Sequence, residues 1–302
     1  MLTYRNSGVH CYDLDQDPPV RLWAYDSGIE ENCLTFAIQG TRAYVGYGNG
    51  MVRVLEFDTD GATEIAYFST GMIAHGLGVL PGGELAVLSD LGESYPPDNE
   101  LQVWDLSDPA QPQLLAMVED EGFNELALTG SSIVLWDSLL GTQIKVFDAS
   151  NPLAPLEAFT AVMPLYANVS VDNGHVFITE PPLLKAIDIS DPWQPSAGPE
   201  IFIPDGYQFY AHGSSGYLMG TNLVFDLADP LVPRPIGAIR SPLRRTMDFF
   251  SAGDFSVVSF GTGLIPWVFS RESSLSLSDE TTGTGSTTDG SSTGETGIGA
   301  SP

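Results

Sequence analysis

Four copies of one twelve-residue phrase, recurring about every forty residues, restrict this chain to folds that stack a single small unit. They read LQVWDLSDPAQP at Leu101–Pro112, IKVFDASNPLAP at Ile144–Pro155, LKAIDISDPWQP at Leu184–Pro195 and NLVFDLADPLVP at Asn222–Pro233. A period of this size marks arrays in which no copy buries its apolar face alone, so neighbouring copies must share a core. The aspartate of the phrase stands at Asp105, Asp148, Asp188 and Asp226. Weaker copies put Asp13 and Asp58 in the same column, and a degenerate copy, LIPWVF at Leu264–Phe269, puts Val268 there.

Each phrase has a local meaning. Apolar positions two apart, such as Ile144 and Val146, have the period of a strand whose two faces differ. Asp followed by Ser and Asp or Asn favours a tight turn, because those side chains accept from nearby backbone N–H groups, and Pro152 or Pro192 then presets φ within it. The repeated aspartates Asp105, Asp148, Asp188 and Asp226 are therefore read as structural turn residues. The second proline, Pro155 or Pro195, lacks an N–H, so an edge strand starts at it or just beyond. Between phrases, segments such as ELALTGSSIVLWD and NVSVDNGHVFITE are two short apolar strands around a glycine turn.

An inner and an outer hairpin per repeat, without helical periodicity, predict an all-β propeller of four-stranded blades. The strand count gives six blades, with seven as the alternative. The chain opens on an outer hairpin and closes on an inner one, so pairing of N- and C-terminal strands is expected to shut the ring, which also protects edges. Residues 1–272 form the propeller. The phrase resembles that of the LVIVD-repeat family, bacterial and archaeal β-propeller proteins found at the surface or exported; the resemblance covers roughly residues 9–270. It implies a propeller and says little about activity.

Residues 273–302 are mostly Ser, Thr and Gly with no aromatic, a composition that cannot offset its ordering entropy, and are expected to form a disordered linker or tail. Such tails resemble spacers of exported bacterial proteins. The start MLTYRNSGVHCYDL has no apolar core of a signal peptide, and we expect the true start to lie upstream and the protein to be exported, at the cell surface or extracellular. No apolar run reaches eighteen residues, so no transmembrane helix is expected. The formal charge of −28 repels phosphate backbones and disfavours nucleic acid.

Cys11 and Cys33 are the only cysteines, and in an exported protein such a pair suggests a disulfide. The G-x-S-x-G match at Gly290–Gly294 lies in the tail without the strand and helix a nucleophile elbow needs. DLDQD at Asp13–Asp17 opens like a calcium loop, but Pro18 replaces the glycine and Ala24 the closing glutamate.

Aligning the inner strands places Glu125, Asn168, Gln208 and Asp248 in one column, with Thr35 and Gly76 at the equivalent places and His75 nearby. Rotation about the axis turns one column into one ring at a channel mouth, and converging polar groups are the default ligand-site hypothesis. Three readings follow. The first is a noncatalytic binding or scaffold module for a protein or surface polymer, with Trp193 in its DPWQP turn as an exposed anchor. The second is a metal- or small-ligand-binding mouth; no cofactor is required, and calcium is the cation it would take. The third is a hydrolase or lyase using Glu125 and Asp248 as acid and base. The first is preferred, because no catalytic constellation is visible.

Overall fold

The computed structural model describes residues 2–4, 8–13, 20–28, 32–90, 98–137, 143–165, 167–204, 208–221, 223–238, 248–252, 255–259 and 267–270. Among them the chain forms seven antiparallel sheets and no helix: sheet 1 within 2–25, sheet 2 within 33–69, sheet 3 within 73–121, sheet 4 within 125–162, sheet 5 within 168–202, sheet 6 within 209–238 and sheet 7 within 248–270. None of the described residues belongs to a helix long and apolar enough to cross a membrane. Residues 273–302 lie outside the described set.

Sheet 4 shows how the sequence becomes a blade. Glu125–Thr129 pairs with Ser132–Trp136 across the turn at Gly130, whose φ of 57° is the left-handed conformation that glycine adopts without a Cβ clash. The phrase strand Gln143–Asp148 adds next, with Val134 opposite Val146 and Ser132 opposite Asp148. The outer strand Leu156–Val162 starts directly after Pro155. Sheets 2, 3 and 6 repeat this four-strand order. In sheet 5 the outer strand is split into Ser196–Ala197 and Ile201–Phe202, both pairing with the phrase strand.

The turn after each phrase strand is closed by its own acid. Asp105, Asp148, Asp188 and Asp226 each accept at Oδ1 from the backbone N–H two residues on, at 2.8–2.9 Å. Asp108, Asn151 and Asp191 repeat the device three residues later, at 3.1–3.3 Å. The residue after the aspartate then donates back to the inner turn, as Ala149 N does to Ser131 O at 2.9 Å and Ile189 N to Gly174 O at 2.7 Å.

That ladder corrects two positions. In sheet 2 the residue opposite the first position of the second strand is Glu56, facing Arg42, and Phe57 N donates to Thr41 O at 2.8 Å. Glu56, not Asp58, therefore holds the column; Asp58 instead caps the following turn, accepting from Asp60 N at 2.8 Å and Gly61 N at 3.0 Å. In sheet 7 Ser270 lies opposite Phe255, so Ser270 rather than Val268 occupies it. Both slips are two residues, the strand period, so the alternation looked equally good in either register.

In five of the sheets the outer strand is bulged at one place. The register shifts between Val54 and Leu55, Val103 and Trp104, Val146 and Phe147, and Val224 and Phe225, and again between Cys11 and Tyr12 in sheet 1. An extra residue there bends the outer strand and increases its twist.

The core lies between sheets rather than within one. Val134, Trp136, Ile144 and Val146 of sheet 4 pack on Val169, Val176, Ile178 and Ile187 of sheet 5, and equivalent layers join sheets 1 and 2, 2 and 3, 3 and 4, and 5 and 6. Each buried Val, Ile or Leu contributes about 1.5–3 kcal/mol of transfer free energy. The first strands of sheets 2 to 6 touch in succession, which makes them the inner strands. Their approach is close at Gly76, where a Cβ would stand 2.6 Å from Leu126 Cβ, so a side chain there requires the strands to part.

The terminal sheets differ from expectation. Sheet 1 comprises Leu2–Tyr4, Gly8–Asp13 and Val20–Tyr25, and sheet 7 comprises Asp248–Ala252, Phe255–Ser259 and Trp267–Ser270. They are not paired with one another among the described residues, so the expected closing sheet is absent from that set; five complete blades between two three-stranded sheets nonetheless fit the expected count of six. Sheet 1 docks instead on sheet 2: Val9 and Trp23 join Val45, Tyr47 and Leu55 in one buried cluster. Cys33 lies in that cluster and Cys11 packs against it, yet both are thiols, which overturns the expected disulfide. They stand on strands of different sheets.

Candidate functional site

The register places the predicted column on one rung. Glu125 opens its strand opposite Trp136, Asn168 opposite Thr179 and Asp248 opposite Ser259. Gln208 immediately precedes Phe209–His212, and its carbonyl accepts from Met219 N at 2.8 Å. Thr35 faces Gly46 and Gly76 faces Leu88 on the same rung. Glycine at one of the six positions, forced by the approach to Leu126, removes one polar group from that level.

His75 departs from the column. The register skips from Ala74 to Gly76, so His75 is the bulged residue, and its Nε2 lies 3.0 Å from Asp90 Oδ2. The alignment falls short of a hydrogen bond. Asp90 ends the neighbouring strand and stands opposite Asn99, each only 3% exposed. Asn99 Oδ1 accepts from Phe123 N at 2.8 Å, which leaves Asn99 Nδ2 and Asp90 Oδ1 buried without a partner. Sequence reasoning missed Asp90 and Asn99, because an Asp-Asn pairing across a hairpin has no signature in spacing; the available signal was a charged residue closing the apolar run LAVLSD. No group of three or more His, Cys, Asp or Glu among the described residues is placed to hold a metal ion.

The opposite ends of the blades carry the phrase turns. The same turn position holds Ala110, Leu153, Trp193 and Leu231 in sheets 3 to 6. Leu231 is half-buried against the layer between sheets 5 and 6. Leu153 and Trp193 are 63% and 52% exposed, yet Trp193 is held: its Nε1 donates to Asp148 Oδ2 of the preceding sheet at 2.9 Å. That indole N–H, and then Ser150 N–H, hold the Asp148 carboxyl below the usual carboxylate range. The Ser190 hydroxyl and backbone N–H do the same for Asp188, and Ser107 N–H for Asp105. Burial raises Asp172, against which Gly213 N donates at 2.8 Å. Beside the turn of sheet 2 a shallow open groove of about 690 Å³ is lined by Thr41, Glu56, Asp58, Asp60 and Ile65.

No protein-family model and no curated protein matches the chain. Solved structures do. A functionally unknown protein from Desulfotomaculum acetoxidans is similar over 84% of this chain and 89% of its own, with a TM-score of 0.62 at 11% identity. The WD40 domain of Neurospora crassa Pan2 is similar over 79% and 75%, with a TM-score of 0.59 at 12% identity. The fold is that of a β-propeller. A chain of the mitotic checkpoint complex is similar over 76% of this propeller and 68% of its own length, with a TM-score of 0.51 at 12% identity. At such identities the likeness describes the propeller's architecture alone.

Proposed function

We propose that this propeller is a noncatalytic binding module of the LVIVD-repeat type, exported or at the cell surface, whose partner is a protein. The observation that carries the reading is Trp193, a large aromatic more than half in solvent yet fixed by its bond to Asp148. A rigid exposed indole contributes contact area at little entropic cost, which is why tryptophan dominates binding hot spots. The similar chain in the mitotic checkpoint complex is itself part of an assembly, which supports this use of the architecture. The test is retention: immobilised protein is expected to retain a protein saturably from an extract or surface fraction, and W193A to lose it. Equal retention by W193A, or retention of a polysaccharide in place of protein, would overturn the reading.

A second reading rests on His75, Asp90 and Asn99, taken together with the column of Glu125, Asn168, Gln208 and Asp248. One hydroxyl could donate to Asp90 Oδ1 and accept from Asn99 Nδ2 together, meeting both unmatched groups. A small polar ligand or calcium at this mouth would raise the melting temperature of the wild type and not of D90N. No shift with polyols, sugars or calcium sinks it.

A further inference from the structure

Resting on the protein-binding reading, we propose that the turn face centred on Leu153 and Trp193 docks a cationic, leucine-bearing segment of the partner. The two side chains belong to a single patch. Asp148 starts the turn that contains Leu153, and the same carboxylate receives the Trp193 indole from the next sheet. Backbone bonds to the Asx side chain of their own turns position both, Leu153 N to Asn151 Oδ1 at 3.3 Å and Trp193 N to Asp191 Oδ1 at 3.1 Å. The patch is bounded on both sides. Ala110 offers no apolar bulk, and Leu231 is turned down onto sheet 5, its carbonyl so near Gly198 that a Cβ there would lie 2.2 Å away.

Charge selects the occupant. Asp148, Asp188 and Asp191 stand in the two turns that carry this patch, and the arginine of the following blade, Arg234, lies opposite its own Asp226. The only lysines, Lys145 and Lys185, precede the turns on the strands, and Lys145 is drawn to Glu157 at 3.7 Å. With the chain at −28 overall, an acidic segment meets repulsion at every distance, whereas a basic one is steered in. At contact, an arginine or lysine over the exposed indole face gains a cation–π interaction, and an adjacent leucine covers Leu153. A neutral apolar segment would leave the surrounding carboxylates without a counter-charge.

The experiment uses the full chain and fluorescence anisotropy of three labelled octapeptides: alternating Lys-Leu, alternating Glu-Leu, and oligolysine. Lys-Leu is expected to bind saturably, about tenfold or more weaker to W193A and to L153S, as for loss of a hot-spot side chain. L153S leaves the Asp148 bond to Trp193 intact, and melting temperatures recorded alongside identify any variant that fails to fold. Raising salt from about 50 to 300 mM is expected to weaken binding severalfold as screening shortens. The proposal is overturned if both variants bind Lys-Leu like the wild type, if oligolysine binds as tightly, if salt has no effect, or if Glu-Leu binds equally. If Trp193-dependent retention of a protein persists while Lys-Leu fails, only the charge assignment falls; if W193A retains the protein as well, the protein-binding reading falls with it.

Discussion

Asp148 accepts from two directions, closing its own turn through Ser150 N and holding the neighbouring Trp193 through its second oxygen. Asp188 has only the first duty, at 2.8 Å from Ser190 N, and the two residues separate turn stability from surface order. Asp188→Ala should lower stability by about 1 kcal/mol, the cost of a lost side-chain cap, and leave the environment of the Trp193 indole unchanged. Denaturant unfolding with Trp193 fluorescence checks this, and an unchanged midpoint would contradict it. Asp148→Ala should cost more than Asp188→Ala and also free the indole, read as altered Trp193 fluorescence. Gly76 works at the same scale by absence. Gly76→Ala brings a Cβ to 2.6 Å from Leu126 Cβ, and overpacking of this kind costs about 1–3 kcal/mol. An unchanged denaturation midpoint would show that the inner strands separate more easily than their packing implies. The phrase made the turn aspartates legible because Asx turns are local chemistry; His75 against Asp90 was not, because it depends on a one-residue bulge that composition does not announce.

Sheet 1 is fastened to sheet 2 by more than apolar contact. The Tyr25 hydroxyl donates to the Glu64 carboxylate, Arg53 Nη1 pairs with Glu64 and donates to Tyr25 Oη at 3.1 Å, and Trp23 Nε1 donates to Asp58 O at 2.8 Å. Burial, then the Glu64 bond, push the Tyr25 phenol from 10.0 up to about 12, and burial pushes the nearby Cys33 thiol from 9.0 up to about 11. Both folded values are raised, so the protonated forms stabilise docking fully below about pH 9, and that contribution is lost as pH climbs through 11 and 12. Melting temperature should therefore fall over this alkaline window, less steeply in Y25F; a flat profile would show that the clasp contributes nothing. At this scale the four strong phrases gave strand and turn positions directly. The copies at Asp58 and Val268 misled by one strand period; at the first, Glu56, Asp58 and Asp60 offer three acids at alternate places and only the cross-strand partner Arg42 decides among them.

The chain as a whole carries a formal charge of −28, and charge of one sign opposes compactness. Raising ionic strength from about 10 to 150 mM shortens the Debye length from about 30 to 8 Å, so the melting temperature should rise with salt. A fall would mean that ion pairs such as Arg42 with Glu56 outweigh the repulsion. The all-β architecture was legible because repeats leave few alternatives; that the end sheets do not pair among the described residues was not, because closure depends on how terminal strands meet in space and not on their pattern. Tyr67, Leu114, Leu156 and Phe202 all stand exposed on outer strands, which would invite lateral growth into fibres. The kink recurring beside the phrase opposes it. A straight incoming chain could follow the perimeter of a kinked blade for only a few residues before donors and acceptors fell out of step, which works against lateral growth along those borders.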